Sequence, residues 1–383
     1  MTRTEPPLGL RAAPHLAVVS MGYVMFGYAG VPEFYLRRYA IGYASFGLML
    51  SATLLPFVLV QWPASRLVER TTTTRLLTGA TVAQAALAST VDFAPTFPAA
   101  LGLRFVWGLA AGLVLSVGAT HVARLYEGDA ASRQQGVYGG MLTLGGAVGF
   151  LIAPRLAAAT NGIGIHALGA LIAVPAVGAL YRNRGDRLTA PSGTAADAAG
   201  ASVLTDRVVL LASLCYVAAI GSYLTLSAFV TSYFEDVGIG GPLNALVLGF
   251  ATLGRAAGGS AVVGLAVTDP RIIAGASTVA ALGFAALAAA PSGPLRVGLP
   301  VLVMLAVSLP FGAIYNVAAD ATAAEGSALA TVIAIGNLVA LALPAVTGSI
   351  RDATGGYEGA FALLVGLNAI AIGSAVLIAR TPR

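Results

Sequence analysis

Long apolar runs alternate along this chain with short polar stretches, and each run is close to the ~20 residues a helix needs to cross a bilayer. Twelve such segments stand out, at about residues 15–36, 42–62, 75–92, 98–122, 135–157, 163–181, 207–233, 243–266, 271–290, 297–318, 327–347 and 359–379. The first begins at His15 with no small-residue cleavage site after it, so it reads as an uncleaved helix rather than a signal peptide. Between the sixth and seventh runs the pattern changes. Arg182 to Asp206 is longer and more polar than the other connections, contains Thr-Ala-Pro-Ser-Gly-Thr, and reads as a flexible linker. The pattern therefore predicts an amino-terminal six-helix bundle over 1–182, a linker over 183–206 and a second six-helix bundle over 207–383.

The two halves carry weak internal similarity. Gln61-Trp62-Pro63-Ala64-Ser65 occupies the place in the second segment that Arg255-Ala256-Ala257-Gly258-Gly259 holds in the eighth. Gly145-Gly146 precedes Ala153-Pro154 in the fifth and Gly336-Asn337 precedes Leu343-Pro344 in the eleventh, and the interval from Gly146 to Pro154 equals that from Gly336 to Pro344. Matching glycine and proline positions in two halves predict an all-α membrane protein of two pseudo-symmetric bundles, with a cavity at their interface and movement of one half against the other.

Composition agrees and narrows the chemistry. The chain is 57% hydrophobic and 10% charged, with a mean hydropathy of +0.85, which excludes a soluble globular class. The net charge of +5 comes from arginine alone, because there is no lysine. That absence removes a phosphate-binding P-loop and Schiff-base chemistry. Fourteen arginines fall on one set of connections and termini and five on the other, so the positive-inside rule places both termini in the cytoplasm of a plasma membrane protein. The lone Cys215 makes no intrachain disulfide, and His15, His121 and His166 lack ligand spacing, so no metal or other cofactor is expected. No acidic pair or nucleophile with its base is apparent, which argues against an enzyme; nothing points to nucleic acid.

One charged residue stands out against the apolar background. Arg255 lies inside the run from Leu243 to Ala266, where a charge costs at least ~2.5 kcal/mol and is retained only facing protein or water. Gly254 and Gly258 share one helix side, continued by Ala261, so a neighbouring helix can approach there. Two readings stand: an anion-binding arginine in a translocation pathway, and a structural arginine bonded to backbone carbonyls near a helix end. Arg104 has two readings as well, a coupling or second cationic group, and an interfacial arginine reaching for headgroups. Glu33 is the best-placed carboxylate for proton coupling, or else a solvated acid paired with Arg37 at i+4. Tyr315, Asn316, Asn337 and Thr143 are polar groups in apolar helices that line a cavity or bond between helices.

The chain resembles the major facilitator superfamily over essentially its full length. Pro63-Ala64-Ser65-Arg66-Leu67-Val68-Glu69-Arg70 is similar to a degenerate form of that family's signature between helices two and three, with Ser65 for glycine and Glu69 for aspartate. Arg104-Phe105-Val106-Trp107-Gly108 is similar to its fourth-helix pattern. Within the superfamily, Arg255 before Gly258-Gly259, Pro310 to Asn316, and Gly336-Asn337 resemble the nitrate/nitrite and cyanate branch. Gln61 stands where that branch has an arginine, and Thr143 where it has an asparagine. The resemblance implies a monomeric alternating-access transporter of a small solute, with a coupled ion or counter-substrate as a further partner. In it Arg255 holds the solute, Gln61, Thr143, Asn337, Asn316 and Tyr315 complete the site, and the Ser65–Glu69–Arg70 loop acts as a cytoplasmic gate. One arginine opposite a glutamine is an asymmetric site, and suits a monocarboxylate or zwitterion better than nitrate. A drug or hydrophobic-compound efflux pump of the same superfamily is the alternative; Ala153 replaces the glycine expected before Pro154 there.

Overall fold

The computed structural model describes residues 7–126, 128–183, 203–264, 267–322 and 325–381. Helices dominate, and no strand occurs among the described residues. They are α1 (Leu8–Gly27), α2 (Pro32–Tyr39), α3 (Tyr43–Arg70), α4 (Thr73–Val91), α5 (Phe97–Leu125), α6 (Gly128–Thr160), α7 (Ala167–Arg182), α8 (Arg207–Asp236), α9 (Leu243–Gly264), α10 (Asp269–Ala288), α11 (Leu295–Ser308), α12 (Phe311–Asp320), α13 (Glu325–Ala340), α14 (Leu343–Thr354) and α15 (Glu358–Arg380). Among the described residues, eight stretches are long and apolar enough to cross a membrane, α11 counted with α12 and α13 with α14. Ala167–Arg182 and Leu243–Gly258 are shorter apolar helices.

The chain forms two compact units, Met1–Tyr39 with Ala52–Pro191, and Ala40–Ser51 with Ser192–Arg383. The expected linker over 183–206 falls mostly outside the described residues, at 184–202. Each unit repeats one packing scheme. In the first, α1 runs along α6 and α7, while α4 packs on α5 and α7; in the second, α8 runs along α13 and α15, while α10 packs on α11 and α15. The internal similarity of the halves thus reappears as a shared order of helix neighbours.

Glycine makes the tightest of these contacts possible. A β-carbon added at Gly22 of α1 would stand 1.9 Å from the carbonyl oxygen of Leu142, and one at Gly145 of α6 would stand 2.0 Å from that of Val19. Both clashes are with backbone, which has no rotamer to escape through, so the small residues set how closely the helices approach. Gly145→Ala is therefore expected to destabilise by about 1–3 kcal/mol, as overpacked cores do. Gly178→Ala meets nothing within 4 Å and is expected to be neutral or mildly stabilising, since alanine favours a helix interior by roughly 0.5–1 kcal/mol. Thermal unfolding of the two purified variants checks this; equal melting temperatures would rule out the packing account.

The helix boundaries differ from the apolar pattern where proline or glycine interrupts it. The first run breaks at Tyr28–Gly30, a 3-10 turn ahead of Pro32, and the tenth breaks at Leu309–Pro310 between α11 and α12. Proline lacks the amide and disfavours helix in the residue before it. The eleventh run breaks too, before Leu343, with Pro344 in the first turn of α14, where the missing amide costs nothing. Its counterpart Pro154 lies inside the unbroken α6, so the matched prolines do not make matched breaks. The segment read as a gating loop at Ser65–Arg70 is instead the last turns of α3, helical through Arg70 despite Pro63, because neighbouring helices and local adjustment satisfy a membrane helix around proline. The side chains of Ser65 and Glu69 lie outside the described residues, and Arg70 is exposed.

The first turns of α3 group with the second unit. Tyr43 and Ala44 donate their backbone amides to the two oxygens of Asp352, each at 2.9 Å, so a carboxylate from α14 caps α3. The Ser51 hydroxyl donates to the carbonyl of Leu341 at 2.6 Å. Added β-carbons at Gly47 and Gly348 would reach the carbonyl oxygens of Pro344 and Tyr43 at 2.3 and 2.1 Å.

Candidate functional site

The second unit gathers an arginine and four aromatic rings where α8, α9 and α12 meet. Tyr216 and Tyr223 are seven apart on α8, and Phe311 and Tyr315 four apart on α12, so each pair shares a helix face. Tyr216 meets Phe311 edge-on at 5.6 Å between ring centroids and Tyr315 at 5.9 Å. The Arg255 guanidinium carbon stands 4.1 Å from the Phe311 ring centroid and 4.7 Å from that of Tyr223. Each is a cation–π approach, which stabilises a positive charge without neutralising it.

The small face beside Arg255 is used as its spacing suggests. Added β-carbons at Gly254 and Gly258 would stand 2.8 and 2.3 Å from the carbonyl oxygens of Leu305 and Leu309, at the end of α11. The side chain of Ala261 lies outside the described residues. Close approach brings Arg255 to the α11–α12 break, where the buried Ser308 hydroxyl has no hydrogen-bond partner among the described residues. Arg255 Nε is likewise buried without an acceptor, while the side chain as a whole is half-buried. No carboxylate pairs with it among the described residues. The expected alternative, a guanidinium bonded to backbone carbonyls, therefore finds no bond here.

Other residues singled out in the sequence are distributed differently. Tyr315 belongs to the aromatic cluster, and Asn316 is half-buried beside it on α12. Asn337 is half-buried on α13 next to Gly336, whose missing β-carbon makes room for the Tyr216 ring; that atom would stand 1.9 Å from the ring. Gln61, half-buried on α3, and Thr143, fully buried on α6, lie in the first unit. The Thr143 hydroxyl donates to Gly140 of its own helix at 2.7 Å. Glu33 has 49% of its side chain exposed and pairs with Arg37 at 3.8 Å, the solvated helix-end arrangement.

Arg104 corrects the picture of an arginine reaching for headgroups. Only 1% of it is exposed. One Nη donates to the Met25 carbonyl at 3.0 Å, just before α1 breaks, and the other bonds His166 Nε2 at 3.1 Å, with the Tyr28 ring centroid 4.2 Å away. An arginine cannot accept, so His166 Nε2 does, and its Nδ1 carries the proton and donates to Asp92 Oδ1. The other oxygen of Asp92 accepts the backbone amides of Gly164 and His166 at 3.0 and 2.9 Å. Carboxylate, neutral imidazole and guanidinium form one buried chain, which nothing in the sequence pattern marked, because its members come from three distant segments.

Burial by itself raises the Asp92 carboxyl, but the His166 ring and these amides outweigh it and hold the group below its ordinary value. A depressed carboxyl adds stability that is complete above the unfolded value of about 4 and is lost as pH falls through the lower folded one. Acidifying the purified protein below about pH 4 is expected to cost the wild type stability that Asp92→Asn does not lose in the same window. Parallel pH–stability curves would refute it.

The sequence matches the family model of the Major Facilitator Superfamily over residues 15–344. The fold is similar to that of a bacterial homologue of the human lysosomal transporter Spinster, solved in an inward-facing and occupied conformation. The TM-score is 0.75 over 97% of this chain and 96% of that one, at 14% identity. No curated protein matches the sequence significantly. A match across most of the length, on a helical membrane fold of the same kind, means that the chain belongs to the major facilitator superfamily.

Proposed function

We propose that this protein is a secondary or facilitated transporter of a small anion, working by alternating access, with Arg255 as the group that attracts and holds the solute. The observation that carries the reading is the state of that arginine: a guanidinium in an apolar unit with a buried, unbonded Nε, aromatic rings against it, and no acid paired with it among the described residues. A charge in such surroundings calls for a partner, and an anionic solute supplies one. Tyr315, Asn316 and Asn337 are the neutral groups of the same unit that would adjust the fit; Gln61 and Thr143 are the candidates of the first unit. Twelve crossings in two bundles, cytoplasmic termini, a plasma membrane location and a monomer complete the proposal, on the arginine bias and the family's habit. The likeness to the nitrate/nitrite and cyanate branch rests on Arg255 with its glycine pair.

The aromatic cluster also supports a second reading, efflux of hydrophobic compounds. Ligand-dependent thermal stability separates the two, because a solute that binds the folded state raises its melting temperature in a concentration-dependent way. A shift with small anions that disappears in Arg255→Ala supports anion transport. A shift with hydrophobic cations that survives the substitution supports efflux and refutes the anion reading.

A further inference from the structure

We infer that the solute is an organic monocarboxylate with an apolar or aromatic body, bound end-on by Arg255, rather than an inorganic oxyanion. The inference rests on the anion reading above and adds the class of anion.

Its first support is the accessible edge of the guanidinium. Arg255 Nε is buried, yet the side chain is only half-buried and makes no hydrogen bond among the described residues. The η nitrogens are not among the buried atoms without partners, so they share in what remains exposed. They offer two parallel donors in one plane, which match the two oxygens of a single carboxylate. The side-on approach, through Nε and one Nη, is closed.

The second support is what surrounds that edge. Tyr216, Tyr223, Phe311 and Tyr315 supply ring hydrocarbon and three phenol hydroxyls, all within electrostatic range of Arg255 in the case of the phenols. The η nitrogens meet the two oxygens of a carboxylate directly. Sulfate or phosphate would bring a second charge that a single guanidinium leaves uncompensated among aromatic rings, and nitrate has no apolar body to lay against them. In a carboxylate the position beyond the two oxygens is carbon, and an apolar body there gains from leaving water against aromatic surface.

The third is geometric economy. Gly336 and Gly254 have no side chain where a β-carbon would strike the Tyr216 ring at 1.9 Å or the α11 backbone at 2.8 Å. The rings and the guanidinium are thus seated by backbone contacts on two sides, so the cluster offers a shaped apolar wall instead of loose side chains.

The test uses the purified full-length protein with four probes: nitrate, acetate, benzoate, and benzamide as the uncharged counterpart of benzoate. Binding is measured by titration calorimetry on wild type, Arg255→Ala, Arg255→Lys and Phe311→Leu, each first shown to melt like the wild type without ligand. Where Phe311→Leu fails that check, the two Arg255 variants carry the test. The expected order is benzoate above acetate above nitrate, by roughly tenfold or more from acetate to benzoate, as pockets discriminate between apolar bodies of different size. Benzamide should not bind. Arg255→Ala should remove benzoate binding, and Arg255→Lys should leave it weakened because a point charge replaces the fork. Nitrate at or above benzoate, lost in Arg255→Ala, would overturn the inference while leaving anion binding at Arg255 in place. Benzoate and benzamide binding alike, or every probe retained in Arg255→Ala, would overturn both. Failure of all four probes at millimolar concentration would overturn the inference as well.

Discussion

Arg255→Ala is expected to abolish solute binding and solute flux in reconstituted vesicles while leaving the folded protein intact. Truncating one partner of a desolvated, hydrogen-bonded charge pair costs about 2–5 kcal/mol. At ~1.4 kcal/mol per decade, affinity should fall roughly thirty-fold or more. The fold should survive because Arg255 makes no hydrogen bond or ion pair among the described residues. Its cation–π contacts with Phe311 and Tyr223 contribute on the order of 1 kcal/mol each, and a neutral side chain relieves the cost of a buried, unpaired Nε. Arg255→Lys keeps the charge but loses the planar fork, and should fall between wild type and alanine. Flux of an anion at wild-type rate in a well-folded Arg255→Ala protein would sink the proposed mechanism.

The opposite balance is expected in the first unit. Arg104→Ala should destabilise strongly, because Arg104 bonds both the Met25 carbonyl and His166, and His166 bonds Asp92, all of them buried. Breaking a buried ion network by removing one member costs about 3–5 kcal/mol, since the buried charge left behind loses the opposite charge that balanced it. For a chain of this order that corresponds to a fall in Tm of roughly 5–15 °C. His166→Ala separates the two charges and should cost a similar amount. Charge balance explains a further expectation. Asp92→Asn combined with Arg104→Gln leaves no buried ion, so the double variant should lose less than the sum of the two single losses. Strict additivity, or single losses below about 1 kcal/mol, would show that the chain of bonds contributes little. The Asp92–His166–Arg104 chain ties the loop before α5 and the start of α7 to the carbonyl where α1 breaks, so it braces an interrupted helix.

Much of this protein was legible in the linear pattern because its cause is local. The length of an apolar run against the thickness of a bilayer predicts membrane helices wherever it occurs. Four-residue spacing puts Gly254 and Gly258 on one side of a helix, and the structure uses that side to meet α11. Arg255 stood out for a similar reason: a charge within a long apolar run is rare enough to mean something. Aromatic partners were less visible. Tyr315 was singled out as a polar residue in an apolar helix, but nothing in its own segment says that it faces Tyr216 of α8.

What remained hidden depends on which segments meet. Asp92 and His166 are separated by 74 positions and Arg104 and His166 by 62, and no spacing rule joins them. Read singly, Arg104 has two readings, a coupling or second cationic group and an interfacial arginine, and His166 lacks ligand spacing; only packing turns them into one bonded chain. The helix breaks divide the same way. Pro154 and Pro344 have matched intervals in the sequence, yet α6 continues through one and the chain breaks beside the other. Sequence by itself determined which stretches are helical and apolar and where a charge would be out of place, because hydropathy and helical period act within a few turns. Tertiary structure alone decided which charges are neutralised, which helices bend and which rings surround Arg255, because burial and hydrogen bonding are settled by distant neighbours.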